Sequence, residues 1–169
     1  MISVDEICST ARHDSALNAL LIDCVNSDAS VGFLPPVDEQ AIATYWRDVE
    51  QDLQLNKRRL FVAIDNDVVV GCVQLALCKK ANGSHRGEVE KLMVHSNARG
   101  QGIAKRLMSR MEQSAKSFAL SLLVLDTRHG DIASTLYRSI GYTEAGSIPQ
   151  FARSANGELE ATVYFYKLL

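Results

Sequence analysis

The chain has 169 residues, 47% hydrophobic and 22% charged, with a formal net charge of -2, a composition expected of one globular domain spanning residues 1–169. The near-neutral balance gives no global drive toward nucleic acid or an anionic membrane surface. No apolar run approaches the ~20 residues needed to cross a bilayer, and the opening Met1–Asp14 carries early acids where a leader peptide would be apolar.

Ile2-Ser3-Val4 reads as a short first strand. From Ser9 to about Asn26 the spacing of Leu17, Leu20, Leu21, Cys24 and Val25 predicts a helix, which Pro35-Pro36 then interrupts. A second helix is expected from Val37 to Leu55, with Asp38 as its N-cap and Ile42, Tyr45, Trp46, Val49 and Leu53 on its apolar stripe. Leu60–Ile64 and Val68–Leu77 read as a hairpin around Asp65-Asn66-Asp67. A polar loop from Lys79 to His85 precedes a strand from Glu88 to His95, and a long helix follows from about Gly100 to Phe118. Leu120–Leu125 is a continuous apolar strand of the kind buried on both faces. Ile132–Ile140 is a short helix ended by Gly141, and Tyr142–Ile148 and Ala161–Leu168 close the chain as strands. The order β-α-α-β-β-β-α-β-α-β-β implies a mixed α/β sheet.

Cys8, Cys24, Cys72 and Cys78 form no CxxC pair and have no histidine at ligand spacing. They are expected to be reduced core thiols, which goes with no metal site and a cytoplasmic location.

The chemistry concentrates between Glu88 and Leu107. A strand ends, a short turn follows, and Arg99-Gly100-Gln101-Gly102-Ile103-Ala104 opens a helix. Unpaired N–H groups and a partial positive charge at a helix start make an anion site, and glycines let ligand oxygens approach the backbone. Lys105 and Arg106 add positive charge. The stretch is not a Walker A loop, because Lys105 is followed by Arg106, and it lacks the GxGxxG of a dinucleotide fold. On its own, a glycine pair here also fits a ligand-free turn.

The neighbouring residues change that reading. Arg99, Gly102 and Ala104 after Leu92-Met93-Val94, followed by a second block of Ala133, Leu136-Tyr137 and Gly141-Tyr142, closely resemble the acetyl-CoA motifs of the GNAT N-acetyltransferase family. The resemblance spans essentially the whole chain. It implies a single-domain α/β GNAT fold: a mixed seven-stranded sheet with a V-shaped splay between strands 4 and 5, flanked by helices. Ala29–Phe33, Gln74-Leu75, Glu88-Val89, Lys91–Val94 and Leu125–Thr127 are similar to a branch of the family that acetylates a β-lactam amino-acid toxin.

Acetyl-CoA as cosubstrate is what the resemblance implies, its pantetheine arm in a slot edged by Leu92, Met93 and Val94 and by Leu122–Asp126. Amides of Arg99, Gly100, Gln101, Gly102, Ile103, Ala104 and Lys105 would hold the pyrophosphate, and an N–H near Leu92 or Met93 would polarise the thioester carbonyl. Tyr137 matches the general acid, its phenol protonated at neutral pH. Glu88 and Asp126 are both candidates for the base, directly or through a water relay. A period-two reading puts Glu88, Glu90, Leu92 and Val94 on one strand face. Many family members carry Asn where Gly130 stands, a contact to the CoA arm to which Ser134 is expected to contribute instead.

Phe33, Trp46 and Gln74 are candidates for the acceptor pocket, with the core stripe as the alternative for Trp46. His13, His85, His95 and His129 are expected outside catalysis. The implied partner is a small-molecule amine, an amino-acid-like toxin or antibiotic among the candidates, with no nucleic acid or membrane; the chain would be a monomer or homodimer. Acetylation of a protein N-terminus, or acyl-CoA binding without catalysis, are the alternatives.

Overall fold

The computed structural model describes residues 1–169, and the elements come in the expected order. β1 (Ser3–Ile7) leads to α1 (Asp14–Asn26) and α2 (Glu39–Gln54). β2 (Arg58–Asp65), β3 (Val68–Leu77) and β4 (Arg86–Val94) follow. Then come α3 (Ile103–Ser117), β5 (Leu122–Arg128), α4 (Ala133–Ser139), β6 (Thr143–Arg153) and β7 (Leu159–Leu168). All the strands join one sheet in the order β1-β2-β3-β4-β5-β7-β6. Neighbours are antiparallel except β4 and β5, which are parallel because α3 carries the chain back between them.

Strand alternation splits the core into two layers. Leu60 and Val62 of β2, with Cys72 and Met93, face α1 and α2, where Leu17, Leu20, Leu21, Ile42, Trp46 and Val49 cover them. Phe61 and Ala63, with Val73, Leu75 and Val89, face the opposite way onto Ile103, Leu107, Met108 and Met111 of α3. Each fully buried leucine in these layers contributes about 1.5–3 kcal/mol. Asp38 caps α2 as expected, accepting from the amides of Gln40 and Ala41.

Several boundaries depart from the sequence reading for identifiable reasons. α1 starts at Asp14 instead of Ser9, because the Thr10 amide and hydroxyl both donate to the Glu50 carboxylate of α2 and hold that stretch as a turn. α3 starts at Ile103 instead of Gly100, because Gly100 and Gly102 take φ of 76° and 73°, outside the right-handed helix. The apolar run at Leu120 becomes a strand only at Leu122, and only one face is sealed: Leu123 and Leu125 are buried, Leu122 and Val124 half-buried. Of the cysteines, Cys24 and Cys72 are in the core, whereas Cys8 is exposed and Cys78 half-exposed; all four are free thiols.

The consequential departure lies in β4. Lys91 has a φ of 51° and interrupts the register with β3, which passes from Cys72↔Met93 to Gln74↔Glu90. This bulge flips the faces beyond it. Leu92 and Val94 pack onto the α3 layer and Met93 onto the α1/α2 layer. Glu88 and Glu90 therefore do not share a face with Leu92 and Val94, contrary to the simple period of two.

Candidate active site

The parallel pairing of β4 and β5 is short. Arg86, Gly87 and Glu88 pair with Leu122, Leu123 and Val124, and pairing stops there. β5 continues to Arg128 along β7, so beyond Glu88 and Val124 the two strands diverge and their facing backbone groups have no strand partner. A cleft of about 590 Å3 opens in the splay, walled by Val89–Leu92 from β4 and Asp126–Arg128 from β5. Tyr137 and Ala133 of α4 form one side, and the loop Ser27–Gly32 another.

At the cofactor end, α3 begins without a side-chain cap. Its first internal hydrogen bond is from Arg106 N–H to Gly102 O, 3.1 Å, so the amides of Ile103, Ala104 and Lys105 point out of the helix end unpaired. A Cβ on Gly100 or Gly102 would meet nothing within 4 Å; the space over this turn is open. Arg99 lines the cleft, its Nε donating to Val94 O at 3.1 Å. Free amides, open space and an adjacent guanidinium fit a diphosphate, and the unpaired edge of β4 fits an extended amide-bearing arm. Gln101 is exposed in the same turn. Ser134 is buried on the first turn of α4, outside the cleft wall.

Tyr137 is only 6% exposed and packs against Tyr142 and Phe165, at centroid distances of 5.9 and 5.8 Å. Burial, followed by the negative charges of Asp126 and Asp131, raises its phenol above the ordinary tyrosine value. The hydroxyl therefore keeps its proton throughout the neutral range.

Glu88 is exposed and lies just outside the cleft lining, paired with Val124 where the β4–β5 ladder ends. Loss of solvent, then the like charges of Glu90 and Asp126, raise its carboxyl above the usual range. Asp126 lines the cleft and its Oδ2 accepts from Thr162 Oγ1 at 2.7 Å. Glu90 is engaged elsewhere, bound by Arg58 Nη1 at 2.5 Å.

Of the residues expected in the acceptor pocket, Trp46 is 3% exposed within the α1/α2 layer. Gln74 is fully buried, exchanges hydrogen bonds with Tyr45 and accepts one from Arg58 Nη1. Phe33 meets Tyr45 edge-on at 5.6 Å and lines an adjoining hollow of about 240 Å3. His13 is half-buried, His85 and His129 are exposed, and His95 Nδ1 accepts from the Asn97 amide in the turn after β4.

Sequence reasoning missed three features. Arg128 ties the cleft roof to its wall: it bonds Asp131 at 3.0 Å, Glu160 at 3.4 Å and Asp28 at 3.5 Å, and donates to the Asp28 carbonyl. Tyr164 pairs with Asp126 across β5 and β7. Lys91 enters the cleft at the bulge. No local pattern announces them: the Arg128–Asp28 bridge and the Asp126–Tyr164 pairing span long sequence separations, and a left-handed lysine has no sequence signature.

A splayed parallel pair, an anion-ready helix start and a buried protonated phenol together fit an acyl-transfer site fed by a thioester cofactor. The acetyltransferase (GNAT) family model matches residues 22–142, and the chain belongs to that family. An IAA acetyltransferase of Azospirillum brasilense is 30% identical over 141 residues, covering 81% of this chain and 86% of that protein. An acetyltransferase of Agrobacterium fabrum is 28% identical over 134 residues, covering 78% and 88%. Among solved structures, a ribosomal-protein-alanine N-acetyltransferase of Brucella melitensis superposes with a TM-score of 0.80 at 23% identity, over 99% of each chain. The Salmonella typhimurium protein yncA, solved with its cofactor acetyl-CoA, gives 0.81 at 19% identity, over 100% of this chain and 94% of its own. The chain is thus an acetyl-CoA-dependent N-acetyltransferase with the GNAT fold.

Proposed function

We propose that this enzyme acetylates the primary amine of a small molecule, with Tyr137 as general acid and Glu88 as general base. The observation that supports this reading is the end of β4–β5 pairing at Glu88 and Val124, which opens a slot walled by Tyr137 and Asp126 with Glu88 at its rim.

Acetyl-CoA supplies the activated acetyl group. The amides of Ile103, Ala104 and Lys105, with Arg99 and the Gly100–Gly102 turn, bind the diphosphate; Leu92, Met93 and Val94 bind the arm. The backbone N–H of Leu92 or Met93 polarises the acetyl carbonyl. Glu88 removes a proton from the acceptor ammonium, directly or through water, so that a neutral amine attacks. Its raised affinity for protons suits it better to this task than Asp126, whose carboxylate is held by Thr162. Tyr137 donates its proton to the departing sulfur.

A volume of about 590 Å3 suits a small ligand. The Asp28–Arg128 ion pair draws the Ser27–Gly32 loop over the cleft, which disfavours a protein N-terminus as acceptor. Likeness of Ala29–Phe33 and Lys91–Val94 to the tabtoxin resistance protein, which acetylates a β-lactam amino-acid toxin, supports an amino-acid-like acceptor. Free thiols at Cys24 and Cys72 are compatible with a cytoplasmic setting.

The test is thiol release from acetyl-CoA across a panel of small amines and of peptides with free N-termini. Small amines are expected to be acetylated and peptides not; turnover confined to the peptides would overturn the small-molecule reading.

A further inference from the structure

The charges in the cleft are almost all spoken for. Arg128 is shared among Asp28, Asp131 and Glu160. Glu90 is bound by Arg58, which also reaches Asp52. Arg99 sits at the helix start that receives the diphosphate. Lys91 is different. Its half-buried side chain lines the cleft, yet no carboxylate lies within the 4.0 Å of an ion pair from its ammonium and no hydrogen bond from it is formed.

The bulge at Lys91 aims this side chain toward the α1/α2 side of β4, away from the diphosphate turn. Nζ lies 5.4 Å from the centroid of the Tyr45 ring and 3.5 Å from where a Cβ on Gly32 would stand. Gly32, at a φ of 88°, thus stands within van der Waals reach of the ammonium. The cation lies beside the Gly32 backbone and an aromatic ring, in the part of the cleft left to the acceptor. Desolvation makes it a worse-solvated and hence more demanding charge: burial lowers its proton affinity, offset in part by Glu90.

We propose that Lys91 receives a carboxylate of the acceptor, so that the substrate is an amino acid or amino-acid analogue carrying both an amine and a carboxylate. This rests on the small-molecule reading above and narrows it. Glu88 and Asp126 favour an ammonium at the rim, and Lys91 favours an anion deeper under the loop; a zwitterion matches both. A dianion such as a phosphate monoester would also meet Lys91, but Asp126, Asp131 and Glu90 repel a double charge more than a single one.

The experiment compares kcat/KM for free amino acids with that for the matching amino-acid amides, in wild type, Lys91→Met and Lys91→Arg. Wild type is expected to prefer the acid by roughly 10–100-fold, the usual worth of a hydrogen bond to a charged group. Lys91→Met collapses that ratio to about one, chiefly through the KM for the acid, and Lys91→Arg keeps most of it. Equal use of acid and amide by wild type would overturn the assignment while leaving small-amine acetylation intact, and this arm needs no variant to fold. An equal loss on both substrates in folded Lys91→Met would also overturn it. Turnover of peptides alone would overturn this proposal together with the reading beneath it.

Discussion

As the proposed acid and base, Tyr137 and Glu88 carry opposite demands, and their surroundings suit both. The phenol must hold a proton until sulfur leaves, and its burial beside Asp126 and Asp131 raises its affinity for that proton. Tyr137→Phe keeps the ring packing on Tyr142 and Phe165 while removing the proton, so kcat is expected to fall ~10–1000-fold with little change in CoA binding. An unchanged kcat in a stopped-flow or thiol-release assay would show that another group is the acid. Glu88 must be ionised to accept a proton. Because desolvation and its acidic neighbours raise its pKa, kcat/KM should decline as pH falls through a value above the ordinary glutamate range. Glu88→Gln should lower the plateau roughly 100-fold and flatten this acid limb, whereas Asp126→Asn should retain the limb. If Asp126→Asn flattened it instead, the base would be Asp126.

At the scale of elements, the candidate site lies where regular structure stops. The β4–β5 ladder ends at Glu88, the β4 bulge falls at Lys91, and α3 is delayed to Ile103 by two left-handed glycines. Gly102→Val places a β-branched residue at a φ of 73° and a side chain where oxygens must approach. Backbone strain of about 1–2 kcal/mol follows, lowering Tm by roughly 2–8 °C. The KM for acetyl-CoA is expected to rise at least ~10-fold. A melting scan and steady-state kinetics separate the two effects; a normal KM would mean that the turn does not touch the cofactor.

These stops also mark the limit of what the sequence could tell. Leu17, Leu20, Leu21 and Cys24 declared the buried face of α1, and Ile42, Trp46, Val49 and Leu53 that of α2, because a helical period repeats within a few residues. The glycines after Arg99 foretold the open, uncapped start of α3, and the Leu136-Tyr137 block the helix that brings a buried phenol to the cleft. The β4 wall and the loop over the cleft were not legible. A left-handed lysine has no sequence signature, so the bulge reversed the faces of Leu92 and Val94 without warning. The Arg128–Asp28 bridge joins residues a hundred positions apart, a pairing no local pattern contains. Tyr45, expected within the apolar stripe, is half-buried and turns its hydroxyl to Gln74, since β3 beneath α2 offers it a polar partner.

For the whole molecule, long-range carboxylate contacts hold the N-terminal region to α2 and to the turn after β4. Glu50 accepts from Thr10 N and Oγ1 and from Ser9, and the Thr10 amide in particular lowers its pKa against the effect of burial. At Asp23, burial acts upward but the Ser96 hydroxyl and amide, with His95 and Arg99, outweigh it and lower the pKa. Both groups bind protons less tightly when folded. Their stabilisation is complete above the ordinary carboxyl values of 4.5 and 3.8 and is lost as pH falls through the lowered ones. Glu88, raised, works in the opposite sense. The urea midpoint should therefore drop between neutral pH and about pH 3.5, and Glu50→Gln should show a smaller drop than wild type. An identical drop would mean that Glu50 does not carry the acid sensitivity.

The most direct measurement is a crystal structure of the acetyl-CoA complex. The account predicts diphosphate oxygens on the amides of Ile103, Ala104 and Lys105, the arm along Leu92–Val94 inside the splay, and the sulfur facing the Tyr137 hydroxyl. A cofactor bound outside that splay, or with its sulfur turned away from Tyr137, would contradict it.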